Sequence, residues 1–194
     1  MNDRRFAASQ AHRLDDPARL LWLPPGEVLS ALALLAGDTA ADVGAGTGYF
    51  ALPMARAVSP RGKVYAVDAQ GAMLARLKEK LRDAALANIE LVQAEADRTG
   101  LPASVCDLFF LANVWHELDD CAATLREARR VLKLQGRIAI LDWRPDVEPE
   151  HGPPLEHRLD PSHAIGHLRA AGFEPFAQTF VGRCSWLVQG EKRS

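Results

Sequence analysis

The chain has 194 residues, of which 48% are hydrophobic and 25% charged, with a formal net charge of −2 and a pI near 6.3. This is enough apolar content for one well-buried core and too short a chain for two full domains, and the near-neutral balance excludes a global pull toward nucleic acid or anionic membrane. Cys106, Cys121 and Cys184 are widely spaced with no C-x-x-C pair, which argues against a disulfide framework and a structural zinc site; with no apolar leader and no run of bilayer length, a soluble cytoplasmic protein is expected.

Residues 1–13 are polar and without period, and are expected to fray or lie on the surface. Asp16-Pro17 starts a short helix from Ala18 to Leu23, which Pro24-Pro25 stops. Val28, Leu29, Leu32 and Leu35 recur at helical spacing ahead of Gly37. Residues 1–36 therefore read as a helical extension packed on a domain spanning 37–194, a single domain overall. Its helices are expected to cover a sheet edge; the alternative is closure over a ligand.

Thr39 to Val43 reads as a strand that runs into Gly44, Gly46 and Gly48. A helix from Phe50 to Val58 follows, where Pro53 requires the helix to begin later than Tyr49 or to be distorted. Lys63 to Val67 is a strand ending at Asp68, and Met73, Leu74, Leu77, Leu81 and Ala84 give the next helix its buried face. Asn88–Val92, Asp107–Ala112 and Arg137–Asp142 read as further strands, with a helix over Cys121–Leu132. Asp160-Pro161 caps a helix to Ala171, and Pro175–Val181 with Cys184–Gln189 form a hairpin around Gly182-Arg183. Strand–helix alternation closed by a hairpin implies an α/β fold: a three-layer, Rossmann-like sheet of seven strands, mostly parallel, with helices on both faces and an antiparallel last strand.

In such sheets ligands sit beyond the carboxyl ends of the strands. The glycine turn does not read G-x-G-x-x-G, because Tyr49 stands where the third glycine would be, and it lacks the Gly-Lys-Ser/Thr ending of a phosphate loop. Asp42-Val43-Gly44-Ala45-Gly46-Thr47-Gly48 instead resembles the first motif of class I S-adenosylmethionine-dependent methyltransferases, and the order of elements from about residue 37 onward is similar to theirs. Asp68 lies 24 residues after Gly44, an offset at which a carboxylate accepts from a ribose diol. A nicotinamide enzyme places an acid similarly, so an NAD-dependent oxidoreductase is a competing reading, weakened by Tyr49. The resemblance implies S-adenosylmethionine as cofactor and S-adenosylhomocysteine as product. It implies a cofactor site of Asp42, Gly44, Ala45, Gly46, Thr47, Gly48, Tyr49, Asp68, Ala69, Met73, Ala96, Asp97, Asn113 and Val114, with Asp97 at the adenine amino group.

Asn113 falls where methyl donor and acceptor meet in this family, and Val114-Trp115 replaces the two prolines found in many amino-group methyltransferases of nucleic acids and proteins. Asn113 and His116 are the candidate catalytic residues, His116 because its ordinary pKa suits a general base. The connection from Trp143 to Leu159 holds four prolines and is long enough to be a binding loop or lid. Its Gly-Pro-Pro-Leu-Glu-His-Arg stretch, with Leu14 to Leu20, resembles a group of small bacterial methyltransferases of the type 11 kind. Trp115, His116, Trp143, His151, His157 and Arg158 are the candidate acceptor-facing residues. His151, His157 and His163 are six apart, which matches no ligand pattern, so no metal is expected. The expected activity is methyl transfer to a small molecule, with no nucleic-acid or membrane partner and an unspecified oligomeric state. The competing reading of another class is a non-catalytic module that binds S-adenosylmethionine or S-adenosylhomocysteine.

Overall fold

The computed structural model describes residues 5–148 and 151–193. Seven strands form one sheet: β1 (Thr39–Val43), β2 (Lys63–Asp68), β3 (Ile89–Gln93), β4 (Cys106–Ala112), β5 (Leu132–Trp143), β6 (Phe173–Val181) and β7 (Ser185–Lys192). The order is β3-β2-β1-β4-β5-β7-β6. Neighbours from β3 to β5 are parallel, whereas β7 runs antiparallel to both β5 and β6. The last strand is thus the antiparallel one, inserted inside the sheet with β6 at the edge.

Among the described residues six α-helices complete the layers: α1 (Arg19–Trp22), α2 (Pro25–Leu32), α3 (Ala51–Val58), α4 (Gly71–Ala84), α5 (Cys121–Val131) and α6 (Pro161–Ala170). Alternate strand residues face opposite layers, as the two-residue period of a strand dictates. Ala41, Val43, Phe109 and Ile140 pack with Leu125 and Val131 of α5 and Leu168 of α6. Ala40, Phe110 and Leu141 pack with Leu32, Met54, Val58 and Leu77 from α2, α3 and α4. Pro53 creates no conflict, because α3 starts at Ala51 and the proline falls in the first turn, where an N–H has no helical acceptor.

β5 begins five residues earlier than its hydrophobic run suggests. Leu132 pairs with Cys106 and Arg137 with Leu108, and the intervening excursion passes through Gln135 at φ +63° and Gly136. Pairing with β4 holds both sides of this excursion in the sheet. No helix among the described residues is long and apolar enough to cross a membrane.

Candidate functional site

A cavity of about 900 Å³ opens at the carboxyl ends of β1, β2, β4 and β5. At β1 the chain turns through Gly44, Gly46 and Gly48 at φ +78°, +54° and +88°, values that disfavour any side chain. A Cβ on Gly44 would lie 2.2 Å from Val114 Cγ2, and one on Gly48 2.3 Å from Leu77 Cδ1. Gly44 therefore keeps the β1 and β4 edges in contact, and Gly48 lets the turn pack on α4. Asp68, at the end of β2, binds the turn from the side: its carboxylate accepts from the Gly46 N–H and the Gln70 N–H, each at 2.8 Å. Burial raises its pKa against those two donors.

Asp42 is almost fully buried beneath the turn. Desolvation, with the Asp68 charge adding to it, pushes its pKa up to about 7, opposed by the Ala51 N–H and by Arg19. Its Oδ2 has no hydrogen-bond partner, and neither does the buried Oδ1 of Asn113, whose backbone sits at φ +57° after β4.

Four residues beyond β4, His116 meets the end of β5. Its Nδ1 lies 2.8 Å and 3.0 Å from the two oxygens of Asp142, which also accept the backbone N–H groups of His116 at 2.9 Å and Trp143 at 2.7 Å. A carboxylate only accepts, so Nδ1 carries the proton and Nε2 is the basic nitrogen. Both side chains are buried, at 5% and 1% exposure. Desolvation alone would lower the His116 pKa, but the charge and hydrogen bond of Asp142, with Glu117 nearby, raise it overall. His116 Nε2 is 3.9 Å from Glu117 Oε1, and burial pushes the Glu117 carboxyl up to about 7 although the Phe6 N–H donates to it at 3.0 Å.

Two segments roof the cavity. Phe6, Gln10, Leu14, Arg19 and Trp22 line it from the N-terminal side, and His151, Pro153, Pro154 and His157 from the proline-rich connection. They meet where Trp22 stacks on His151 at 4.7 Å and tilts against Trp143 at 5.2 Å. Asp15 holds the first segment to the glycine turn, accepting from Thr47 Oγ1 and Lys80 Nζ, both at 2.5 Å. The two N-terminal helices thus divide the roles foreseen for them. α2 covers the sheet, with Arg137 and Gln189 donating to its Leu32 and Ala31 carbonyls. α1 and the residues before it take the alternative role, over the cavity.

Of the residues predicted for the site, all border this cavity except Gly48, Trp115 and Arg158. Trp115 is fully buried in the core, with its Nε1 donating to His163 Nδ1 at 3.1 Å. Arg158 lies beneath the connection, where its guanidinium donates to the carbonyls of Pro153, Arg144, Val147 and His151. Sequence reasoning missed Asp142, Glu117 and Arg19. Asp142 was within reach, since it stands at the carboxyl end of a predicted strand, the position at which ligand-facing groups are sought. Arg19 falls in the predicted Ala18–Leu23 helix and in the Leu14–Leu20 resemblance, but one arginine in a short apolar helix carries no local signal that it points into a cavity.

The strand order, the glycine turn and the acid after β2 define a methyltransferase-type nucleoside-binding fold. The chain belongs to the methyltransferase domain family, whose model matches residues 41–140. It is 34% identical over 115 residues to the ubiquinone/menaquinone biosynthesis C-methyltransferase UbiE of Escherichia coli, a match covering 58% of this chain and 46% of that protein. The chain thus spans about half the length of the curated relatives it matches. A SAM-dependent methyltransferase from Aquifex aeolicus superimposes with a TM-score of 0.91 at 33% identity, covering 97% of this chain and all of that one. A putative type 11 methyltransferase from Sulfolobus solfataricus shares the fold, with a TM-score of 0.73 at 22% identity over 90% of this chain and 94% of that one. The cofactor of the family is S-adenosylmethionine, and its product S-adenosylhomocysteine.

Proposed function

We propose that this chain methylates a small molecule that gives up a proton to His116 as the methyl group is transferred. The observation that carries this reading is the His116–Asp142 pair bordering the same roofed cavity as the glycine turn. A volume of about 900 Å³ stands near the top of the ~300–1,000 Å³ range of small-molecule sites, room for a cofactor and a modest acceptor together.

The residues present suit S-adenosylmethionine. Gly44 and Gly46 border the cavity at positive φ, so main chain without a side chain lines it there. Each Asp68 oxygen has spent one lone pair on a backbone N–H and keeps another for a ribose hydroxyl. Asp97 and Ala96 would border the adenine, with Ala69, Met73 and Val114 as walls, and the unpartnered oxygens of Asn113 and Asp42 would accept from the ammonium. When bound, the cofactor supplies a methyl group already activated on a sulfonium.

The chain's own contribution is then alignment, exclusion of water and removal of a proton. Asp142 fixes the imidazole tautomer and orientation, so that Nε2 can take a proton from the acceptor. Trp143, Trp22 and His151 wall the acceptor side with rings, which suits a planar acceptor with a weakly acidic hydroxyl, of phenol or enol type. The C-methyltransferase name of the Escherichia coli relative is in keeping with an acceptor of that kind. A built acid–base pair also favours chemistry over a module that only binds.

A panel of phenols, enols and amines incubated with S-adenosylmethionine and followed by mass spectrometry tests the reading. Methylation of ionisable hydroxyl compounds by the wild type, and its loss in His116→Asn with cofactor binding intact, is the expected result. Methylation confined to amines, or undiminished in His116→Asn, would refute it.

A further inference from the structure

Among the described residues, five buried side-chain polar atoms have no hydrogen-bond partner, and three of them border the one cavity: Asp42 Oδ2, Asn113 Oδ1 and Arg19 Nε. Buried polar atoms are nearly always satisfied, so three orphans around one space imply a ligand with matching groups. Two are acceptors and the third belongs to a cation. Arg19 is buried, at 6% exposure; its guanidinium lies 3.9 Å over the Tyr49 ring and spends a single long bond of 3.3 Å from Nη1 on the Leu14 carbonyl. No ion pair with Asp42 is formed among the described residues, although the two groups interact electrostatically.

We infer that Arg19 anchors the carboxylate of the cofactor's amino-acid end, opposite Asp42 and Asn113, which take its ammonium. This assignment rests on the methyltransferase reading above and names a residue that the glycine turn does not supply. A guanidinium is suited to the task because its planar donors match a carboxylate. Burial, the largest influence, lowers the Arg19 pKa to about 10, so the cation is held there at a cost that a bound anion would offset.

The placement has a second effect. Arg19 lies in α1, on the segment that Asp15 and Trp22 hold over the cavity, so a carboxylate bound to it also seats that part of the roof. A ligand lacking the carboxylate would fill the nucleoside part of the site and leave the segment unsecured.

The matched probes are S-adenosylhomocysteine and its decarboxylated analogue, titrated calorimetrically against the wild type and Arg19→Met, which keeps an apolar stem over Tyr49. The wild type should prefer the carboxylate form by roughly 10- to 100-fold, the loss expected for one charge-assisted hydrogen bond. Arg19→Met should bind both about equally. If Arg19→Met keeps the wild-type preference, or weakens both ligands alike, the assignment is overturned. Limited proteolysis of the wild type needs no variant: S-adenosylhomocysteine should protect residues 5–22 and the decarboxylated analogue should not, and equal protection by both also overturns it. A wild type that binds neither probe removes the underlying methyltransferase reading; one that binds both without preference removes only the role of Arg19.

Discussion

His116 and Asp142 carry the most exposed claim about chemistry. Asp142 raises the imidazole pKa by charge and hydrogen bond against the opposing effect of burial. A base works only when neutral, so activity should climb as pH rises through a His116 pKa set above its usual value of about 6.5. Asp142→Asn removes the charge and can hold the wrong tautomer. The expected outcome is a loss of kcat of roughly 10²- to 10⁴-fold, with the acidic limb of the kcat profile moved to lower pH. Profiles measured for both proteins check this, and an unmoved limb would assign the limb to a different group. Cofactor affinity should stay within about twofold, because neither residue belongs to the donor half proposed above.

The connection after β5 shows how an element works through one residue. Arg158 ties the backbone carbonyls of Arg144, Val147, His151 and Pro153 together, which holds the described parts of the connection on either side of residues 149–150 to one guanidinium. Lysine has the charge but not the planar fork of donors. Arg158→Lys should lose about 1–3 kcal/mol of stability, seen calorimetrically as a fall in Tm of roughly 2–10 °C. New proteolytic cuts within residues 151–158 and a raised acceptor KM with unchanged S-adenosylhomocysteine Kd should accompany it. Arg158 also marks where sequence reading stops. Its neighbours His151 and His157 were recognisable as cavity residues because a long loop beside strand ends is a good place to look. That Arg158 faces inward to carbonyls depends on a path no local spacing encodes. Elements built on strong periodicity, such as β1 and α4, were legible to within two residues. The start of β5 was not, since a strand interrupted at Gln135 and Gly136 is restored only by pairing with β4.

The molecule as a whole buries several groups that prefer to keep a proton. Asp42 and Glu117 are pushed up to about 7, and Asp68 and His116 are raised as well. Each native-state pKa exceeds its unfolded value, so the native chain binds more protons and unfolding releases them. Stability from these groups is fully present below their unfolded pKa values and is lost as pH rises through the folded ones. Glu127 and Asp160 are shifted downward, and their contribution is already complete above about pH 5. His163, lowered by burial and by His167, opposes this with a contribution that is lost as pH falls, but it is one group against four. Scanning calorimetry of the ligand-free protein should therefore give a higher Tm at pH 5.5 than at pH 7.5, and a Tm that climbs with pH would contradict these burials. Finally, the family match spans residues 41–140, while Arg19, Trp22, Asp142, Trp143 and the His151–His157 roof all fall outside it. The matched segment holds the glycine turn, Asp68, Asp97 and Asn113 proposed for the donor together with the proposed base His116, while the flanks add Arg19 and the ring-lined roof. The roof is therefore double-purpose: a hybrid carrying another relative's roof segments should change its choice of acceptor on the same panel, and should keep cofactor affinity only where an arginine is retained at position 19.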